Sequence, residues 1–489
     1  NGTPWRFQLT HKVATWVTLL LERTTHMHLR TIGILLLLAS ISLVSLAQAQ
    51  PGATTIFLPL VQVPLPTVAG YLGGEDNDNL VATGITSTGE LVLAGNMSAV
   101  TGIPETVLRG GGAGALIRIG VDGRSIDRVI RVATTLNHAA FDGNGGTVVC
   151  GPDGVVVLEP DLTTVRWTAT PGELMRCAMS GGRVAALLKT GQTLLVYPVD
   201  GSAPLSINVG GTKVRDIAID SASGLVFATG YTQAASDLKV AFLRAYHLGD
   251  GSLAWQRYGF SASVVKGAKL AADSEGRQLA MGGDGMLYFA GFTDGGNSIF
   301  GRDPADINRV LSKSELIKYD AYNDPYRISG AKSLAWYGRF DPVSGALLRG
   351  QWLLTRLDDG KGNSISIKGL AAAADGTLAV VGSTACCLQG RSTMQLFGQV
   401  LGSYEIGEPF VLIVHPAFTQ RYIWTTLAAP GATAGSSPAI AAAVNADRIA
   451  VAVNFTSAGS RALVTTGNPV FATGLGGNDG YYVTMPLGR

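Results

Sequence analysis

The sequence predicts an all-β fold: a seven-bladed β-propeller of four-stranded antiparallel blades, closed by an N-terminal strand that completes the last blade. Three observations predict it. A loose unit of apolar strand, Asp/Gly turn and second apolar strand ending in Gly or a small polar residue recurs seven times. It is clearest at 216–232 (DIAIDSASGLVFATGYT), 369–384 (GLAAAADGTLAVVGST) and 79–96 (NLVATGITSTGELVLAGN). The last unit stops after its third strand, while the body opens on an isolated strand, 67–73 (TVAGYLG), which supplies the missing outer member and removes the two free sheet edges. Finally, 64 glycines punctuate a chain that is 46% apolar and 15% charged, a balance that suits strands buried on both faces and excludes disorder for most of the length.

The second strands show the repeat best: Glu90 to Gly95, Thr147 to Gly151, Arg183 to Leu188, Leu225 to Gly230, Met286 to Gly291, Thr377 to Gly382 and Arg448 to Asn454. Third strands are expected at 115–121, 155–159, 193–198, 241–248, 333–341, 409–415 and 480–485, several followed by an Asp-Gly turn. Outer strands include 164–169, 253–258, 347–354 and 422–427. Units two and three are compact, near the ~40 to 45 residues of a minimal propeller repeat. Units one, five, six and seven are lengthened between second and third strands, at 97–114, 293–332, 383–408 and 456–478. Those loops emerge on one face of a propeller, and elaboration of one face points to binding there.

Ahead of the body, Met27 begins a basic start (His28, Arg30), an apolar run from Ile32 to Leu46 and the small-x-small Ala47-Gln48-Ala49. This reads as a secretory signal peptide over 27–49, because the apolar run is shorter than the ~20 residues of a spanning helix. No Cys follows the run, so a lipoprotein is not indicated. Residues 1–26 read as a leader or fragment overhang, 50–66 as a Pro-rich lead-in and 67–489 as the propeller. The expected location is therefore extracellular or at the cell surface, with no membrane span in the mature chain. A formal net charge of +2 offers nothing to recruit nucleic acid or an anionic membrane.

Export gives the four cysteines meaning, since disulfides persist in oxidising compartments. Cys150 and Cys177 fall in neighbouring units and are candidates to staple them, while the adjacent Cys386 and Cys387 are candidates for a vicinal disulfide. The competing reading is four small buried thiols.

The segment 71–96 (YLGGEDNDNLVATGITSTGELVLAGN) resembles the repeat of prokaryotic secreted β-propeller proteins often called the SBBP type, in which a YLGG outer strand leads through an acidic loop to an inner strand. Two further stretches look similar, 224–232 (GLVFATGYT) and 458–483, the latter through GNPVFATGLGGNDGYYV. Units two and three depart from the pattern by lacking its long loop. What the resemblance implies is an extracellular or cell-surface propeller, generally without an assigned catalytic residue.

Candidate chemistry is sparse. Past the signal only His138, His247 and His415 remain, in different units and without metal-ligand spacing, so neither a zinc site nor a His-based triad is supported. No G-x-S-x-G elbow, phosphate loop or dinucleotide fingerprint sits before a helix. The acidic loop 75–79 sets Glu75, Asp76 and Asp78 as candidate calcium ligands, because side-chain oxygens on a tight loop suit a hard cation; the same residues also simply make turns. The 300–330 insertion offers Asp303, Asp306, Asp320 and Asp324 beside Tyr319, Tyr322 and Tyr326, residue types used in sugar or peptide recognition, or alternatively in a self-packed loop. The reading is a non-catalytic propeller that binds a glycan, an extracellular protein or a cell-surface component through its long-loop face. The alternative is an exported propeller enzyme: a polysaccharide-active hydrolase or lyase using paired carboxylates, or a quinone-dependent dehydrogenase.

Overall fold

The middle strands of each repeat are continuous Val, Leu and Ala runs, and in the computed structural model they are buried on both faces because each blade is sandwiched between its neighbours. Leu91–Asn96, Thr147–Gly151 and Glu408–Val414 are examples. The structure describes residues 66–487 apart from 101, 144, 327–332, 358–361, 386, 403–406, 432–436 and 458–461. The signal segment, nearly all of the Pro-rich lead-in and Cys386 lie outside the described residues.

Seven antiparallel sheets follow one another in chain order. Blade 1 comprises Asn79–Ile85, Leu91–Asn96, Gly114–Ile119 and Ile126–Ala133, from the innermost strand outward. Blade 2 spans 138–169, blade 3 spans 174–208, blade 4 spans 213–258, blade 5 spans 274–353 and blade 6 spans 365–426. In blade 7, Ala439–Val444, Arg448–Thr456 and Asn478–Pro486 are completed by Val68–Leu72, which pairs antiparallel with the chain's last strand from Val68 opposite Thr484 to Leu72 opposite Gly480. The chain is a seven-bladed β-propeller, sealed by its first strand.

The glycine that ends so many second strands has a physical reason. The innermost strands of blades 1, 3, 4, 5, 6 and 7 each carry a β-bulge near their start. In blades 1, 4, 5 and 6 the residue just before the bulge faces Gly95, Gly230, Gly291 or Gly382. A Cβ at Gly230 or Gly382 would lie 1.9 Å from the backbone oxygen of Lys213 or Ser366, so a side chain there would push the bulged strand away.

Tryptophans on outer strands lock successive blades. Trp167 of blade 2 donates from Nε1 to the Val199 carbonyl of blade 3 (3.0 Å), and Trp255 of blade 4 donates to the Pro342 carbonyl of blade 5 (3.0 Å). Between blades 4 and 5 lies the most aromatic part of the core, with Phe300 stacked on Trp336 at 5.3 Å and 11°. The structure adds two outer strands that the sequence reading leaves unassigned, Ile126–Ala133 and Leu205–Asn208, and a short helix, Ala262–Gly267. Among the described residues no helix is long and apolar enough to cross a membrane.

Candidate functional site

The seven innermost strands enclose an axial channel of about 850 Å³. Its wall is built of small residues, with Ala82, Ala140, Ala178, Ala218, Ala280, Ala371 and Ala442 contributing one from each blade, and this keeps the bore open. Polar groups also line it, including Asn79, Asn137, His138, Arg176, Asp216, Gln278, Lys368 and Asn454. The innermost strands begin beside the connections between second and third strands: Lys213 pairs with Tyr231 at the base of the blade 4 connection. That end of the channel therefore opens on the long-loop face.

Three of the lengthened connections turn out to serve the rim. In blade 1, Glu105–Val107 runs parallel to the outer strand, pairing with Val129 to Arg131. In blade 5, Ile317 N–H donates to the Gly350 carbonyl (2.8 Å), and Asn323 donates to the Trp352 carbonyl (2.6 Å), so the insertion lies along that blade's outer strand. In blade 7, Ala69 and Tyr71 of the closing strand donate to the Thr466 and Phe471 carbonyls (3.1 and 2.9 Å). Each covers an edge that would otherwise present unpaired backbone groups.

This placement decides the fate of the expected recognition loop, whose acids are taken up internally. Asp303 accepts from Ala305 N–H and from Arg309 Nε (both 2.6 Å), and Asp306 accepts from Asn308 N–H (3.0 Å). Asp320 caps a short 3-10 turn through Tyr322 N–H (2.8 Å) and pairs with Arg421 of blade 6 (2.9 Å). Asp324 pairs with Lys318 at 2.7 Å. Tyr322 gives its carbonyl to Leu354 N–H (3.0 Å), Tyr326 lies beneath the Arg356 guanidinium and Tyr319 is exposed beside Arg421. The self-packed reading describes these seven residues, and they do not converge on a shared cleft.

The acidic loop is likewise used for structure. Asp78 is 2% exposed and accepts from Gly74 N–H (2.7 Å), Ser98 N–H and Ser98 Oγ (3.1 Å), which leaves Glu75 and Asp76 exposed and separate from it. Among the described residues no group of three or more His, Cys, Asp or Glu is arranged to hold a metal ion, and the bonds to Asp78 close a turn.

Cys150 and Cys177 do meet across blades 2 and 3, as free buried thiols in hydrogen-bond contact instead of the expected staple. Val148, Val157, Leu174 and Val184 surround them, and burial pushes the Cys177 thiol far up, as suits the small-hydrophobe reading. The adjacent pair involves Cys386, outside the described residues; Cys387 has a φ of +87°.

Two titratable groups on the channel wall are displaced in opposite directions. His138 donates from Nδ1 to the Cys177 carbonyl (3.0 Å); burial, helped by the Arg176 charge, pushes its pKa from 6.5 down to about 3. Asp216 accepts from Leu279 N–H (2.8 Å) and faces Arg176 at 3.4 Å; burial outweighs that cation and raises its carboxyl from 3.8 to about 6. As pH falls below 6.5 the unfolded chain protonates its histidine and the folded chain does not, so stability is lost down to about 3. Asp216 opposes this: between about 6 and 3.8 the folded state holds a proton the unfolded state lacks, which adds stability as pH falls. The histidine window is wider, so the urea midpoint is expected to drop between pH 7 and about pH 4.5, and His138→Gln to turn that drop into a rise carried by Asp216. An equal drop in the variant would refute the assignment.

Sequence reading missed a cluster of cations where three innermost strands begin, of which Lys368 lines the channel. Arg215, Arg277 and Lys368 are the bulged residues of three consecutive blades. Glu275, 2% exposed, holds Arg215 (3.1 Å), Arg277 (3.2 Å) and Lys239 (3.2 Å). The signal was present: aligned repeats read RDIA at 215–218, RQLA at 277–280 and KGLA at 368–371, each with a cation three residues before the channel alanine.

No family model and no curated protein matches the sequence. Among solved structures, the chain is similar to a chain in the crystal structure of a mitotic checkpoint complex (7% identity, TM-score 0.43), with 82% of this chain and 92% of that chain covered. It is also similar to the hydrazine synthase of Kuenenia stuttgartiensis (9% identity, TM-score 0.43), with 84% and 99% covered. Neither likeness transfers an activity or a partner.

Proposed function

We propose that this protein is a secreted or cell-surface binding module, non-catalytic, that takes its ligand at the channel mouth on the face carrying the second-to-third-strand connections. One observation supports this above the rest: a wide, alanine-walled channel opens there among polar side chains, while the lengthened connections are spent on the rim. The expected partners are a glycan, an extracellular protein or another cell-surface component. Export rests on the 27–49 segment, and mass spectrometry of protein recovered from the medium should find Gln50 first.

The test is a glycan and extracellular-protein array probed with the purified protein and with a Gln278→Trp variant. Gln278 lines the channel, and a tryptophan there fills the mouth. The expected result is saturable binding to an array component that the variant loses while keeping its thermal transition. Binding that survives the plug would move recognition away from the mouth.

A further inference from the structure

We propose that the channel mouth is an oxyanion site, in which Arg215, Arg277 and Lys368 receive a carboxylate, sulfate or phosphate group of an acidic ligand. This rests on the reading that the mouth is the recognition surface, and it adds the chemistry recognised there.

Blades 4, 5 and 6 are consecutive, and each places a cation at the same bulged position of its innermost strand, so the three side chains gather on one arc of the mouth. Blades 1 and 7 place Val81 and Ile440 at that position, and blade 3 places Met175. The three cations therefore sit together on three adjacent blades of the seven.

The charges on this arc do not cancel. Glu275 is the carboxylate that Arg215 and Arg277 share, and it takes Lys239 as well. Two further acids lie near Lys239: its backbone N–H donates to Asp273 Oδ1 at 2.7 Å, and its charge acts on Asp294. Lys368 has no ion pair or hydrogen bond among the described residues; burial and the repulsion of Arg277 and Arg215 lower its pKa. The Nε atoms of Arg215 and Arg277 are buried without a partner. A buried guanidinium N–H and a half-buried ammonium left unpaired are costly in a monomer, and an oxyanion that accepts from them satisfies both. Arg277 is held over the Phe292 ring at 4.4 Å and Arg215 beside Tyr231 at 5.5 Å, so both cations are pre-positioned.

The experiment is titration calorimetry of the full protein with inorganic phosphate, sulfate and glucuronate in separate arms, against chloride at matched ionic strength. Saturable heat in at least one arm is expected, and the arm that binds most tightly names the source of the oxyanion. Lys368→Met is expected to weaken that binding roughly tenfold or more and to raise the melting temperature of the free protein, since it removes an unpaired cation. Arg277→Gln provides a second reading of affinity. Absence of saturable binding beyond chloride, or affinity unchanged in both variants, overturns the oxyanion site. An array component that is neutral, lost in Gln278→Trp and kept in Lys368→Met would overturn it while leaving the binding face in place; no array binding together with no saturable heat in any arm would remove both.

Discussion

Deleting residues 67–74 is expected to abolish cooperative folding. The segment contributes a whole strand, Val68–Leu72, whose Val68, Ala69 and Leu72 are 0% exposed and whose Tyr71 is 4% exposed. At roughly 1.5–3 kcal/mol for each large apolar side chain, losing Val68, Tyr71 and Leu72 removes roughly 5–9 kcal/mol. That is comparable with the whole stability of a typical domain, about 5–15 kcal/mol. The loss extends further, because Tyr71 Oη accepts from Leu463 N–H (2.8 Å), and Ala69 and Tyr71 hold the 457–477 connection by their backbones. The deletion also strips the outer edge of Asn478–Pro486, a nearly continuous buried strand, and leaves it open to pair with another chain. Circular dichroism with size-exclusion chromatography checks this: the expected outcome is a broad, non-cooperative melt and high-mass aggregate. A monomer melting near the parent temperature would show that sealing the ring contributes little.

Why this was readable in the sequence is visible in the residues themselves. Four of the repeats place a glycine where an inner strand bulges against a second strand, and the middle strands are buried on both faces. The resulting pattern of apolar run, Gly and turn recurs with little variation, as at Gly95, Gly230 and Gly382. The outer strands were harder. Ile126–Ala133 has charged residues at Asp127, Arg128 and Arg131, and Leu205–Asn208 is short and partly exposed, so neither carries a strong period. The N-terminal strand was legible because the last repeat was one member short.

The site was less legible, for a different reason. Acids and tyrosines crowded at 303–326 look like a recognition loop, yet in the fold Asp303, Asp306 and Asp324 find partners within the segment, while Asp320 and the tyrosines meet Arg421, Arg356 and the backbone at Leu354. Local composition cannot show that a distant arginine neutralises an aspartate. The converse holds at the channel mouth, where single cations in three separate repeats become a cluster because propeller symmetry brings equivalent positions together. Aligning repeats, and asking what each places at its bulge, recovers Arg215, Arg277 and Lys368, whereas scanning for dense motifs does not.

The fourth long connection, in blade 6, supplies the second large effect. Arg391 and Glu408 are 4% and 2% exposed and are joined by Nε to Oε1 and Oε2 (3.0 and 2.9 Å) and by a third bond at 2.6 Å. Arg391 also donates to the Gly402 carbonyl (2.9 Å), so one guanidinium pins both ends of its connection to the start of Glu408–Val414. Removing one partner strands the other's charge in a dry site, so Arg391→Met is expected to cost about 3–5 kcal/mol. Replacing both is different, because two apolar side chains of similar volume fill the same space with no ion left to desolvate. The double variant Arg391→Met/Glu408→Met is therefore expected to recover most of that loss in urea denaturation, with a coupling energy on the order of 3 kcal/mol. Additive losses would mean that the pair acts only through separate contacts, Arg391 through Gly402 and Glu408 through its own strand. The same cycle bears on recognition: if the blade 6 connection only covers structure, the double variant keeps wild-type ligand affinity once its fold is restored, and the binding surface narrows to the channel mouth itself.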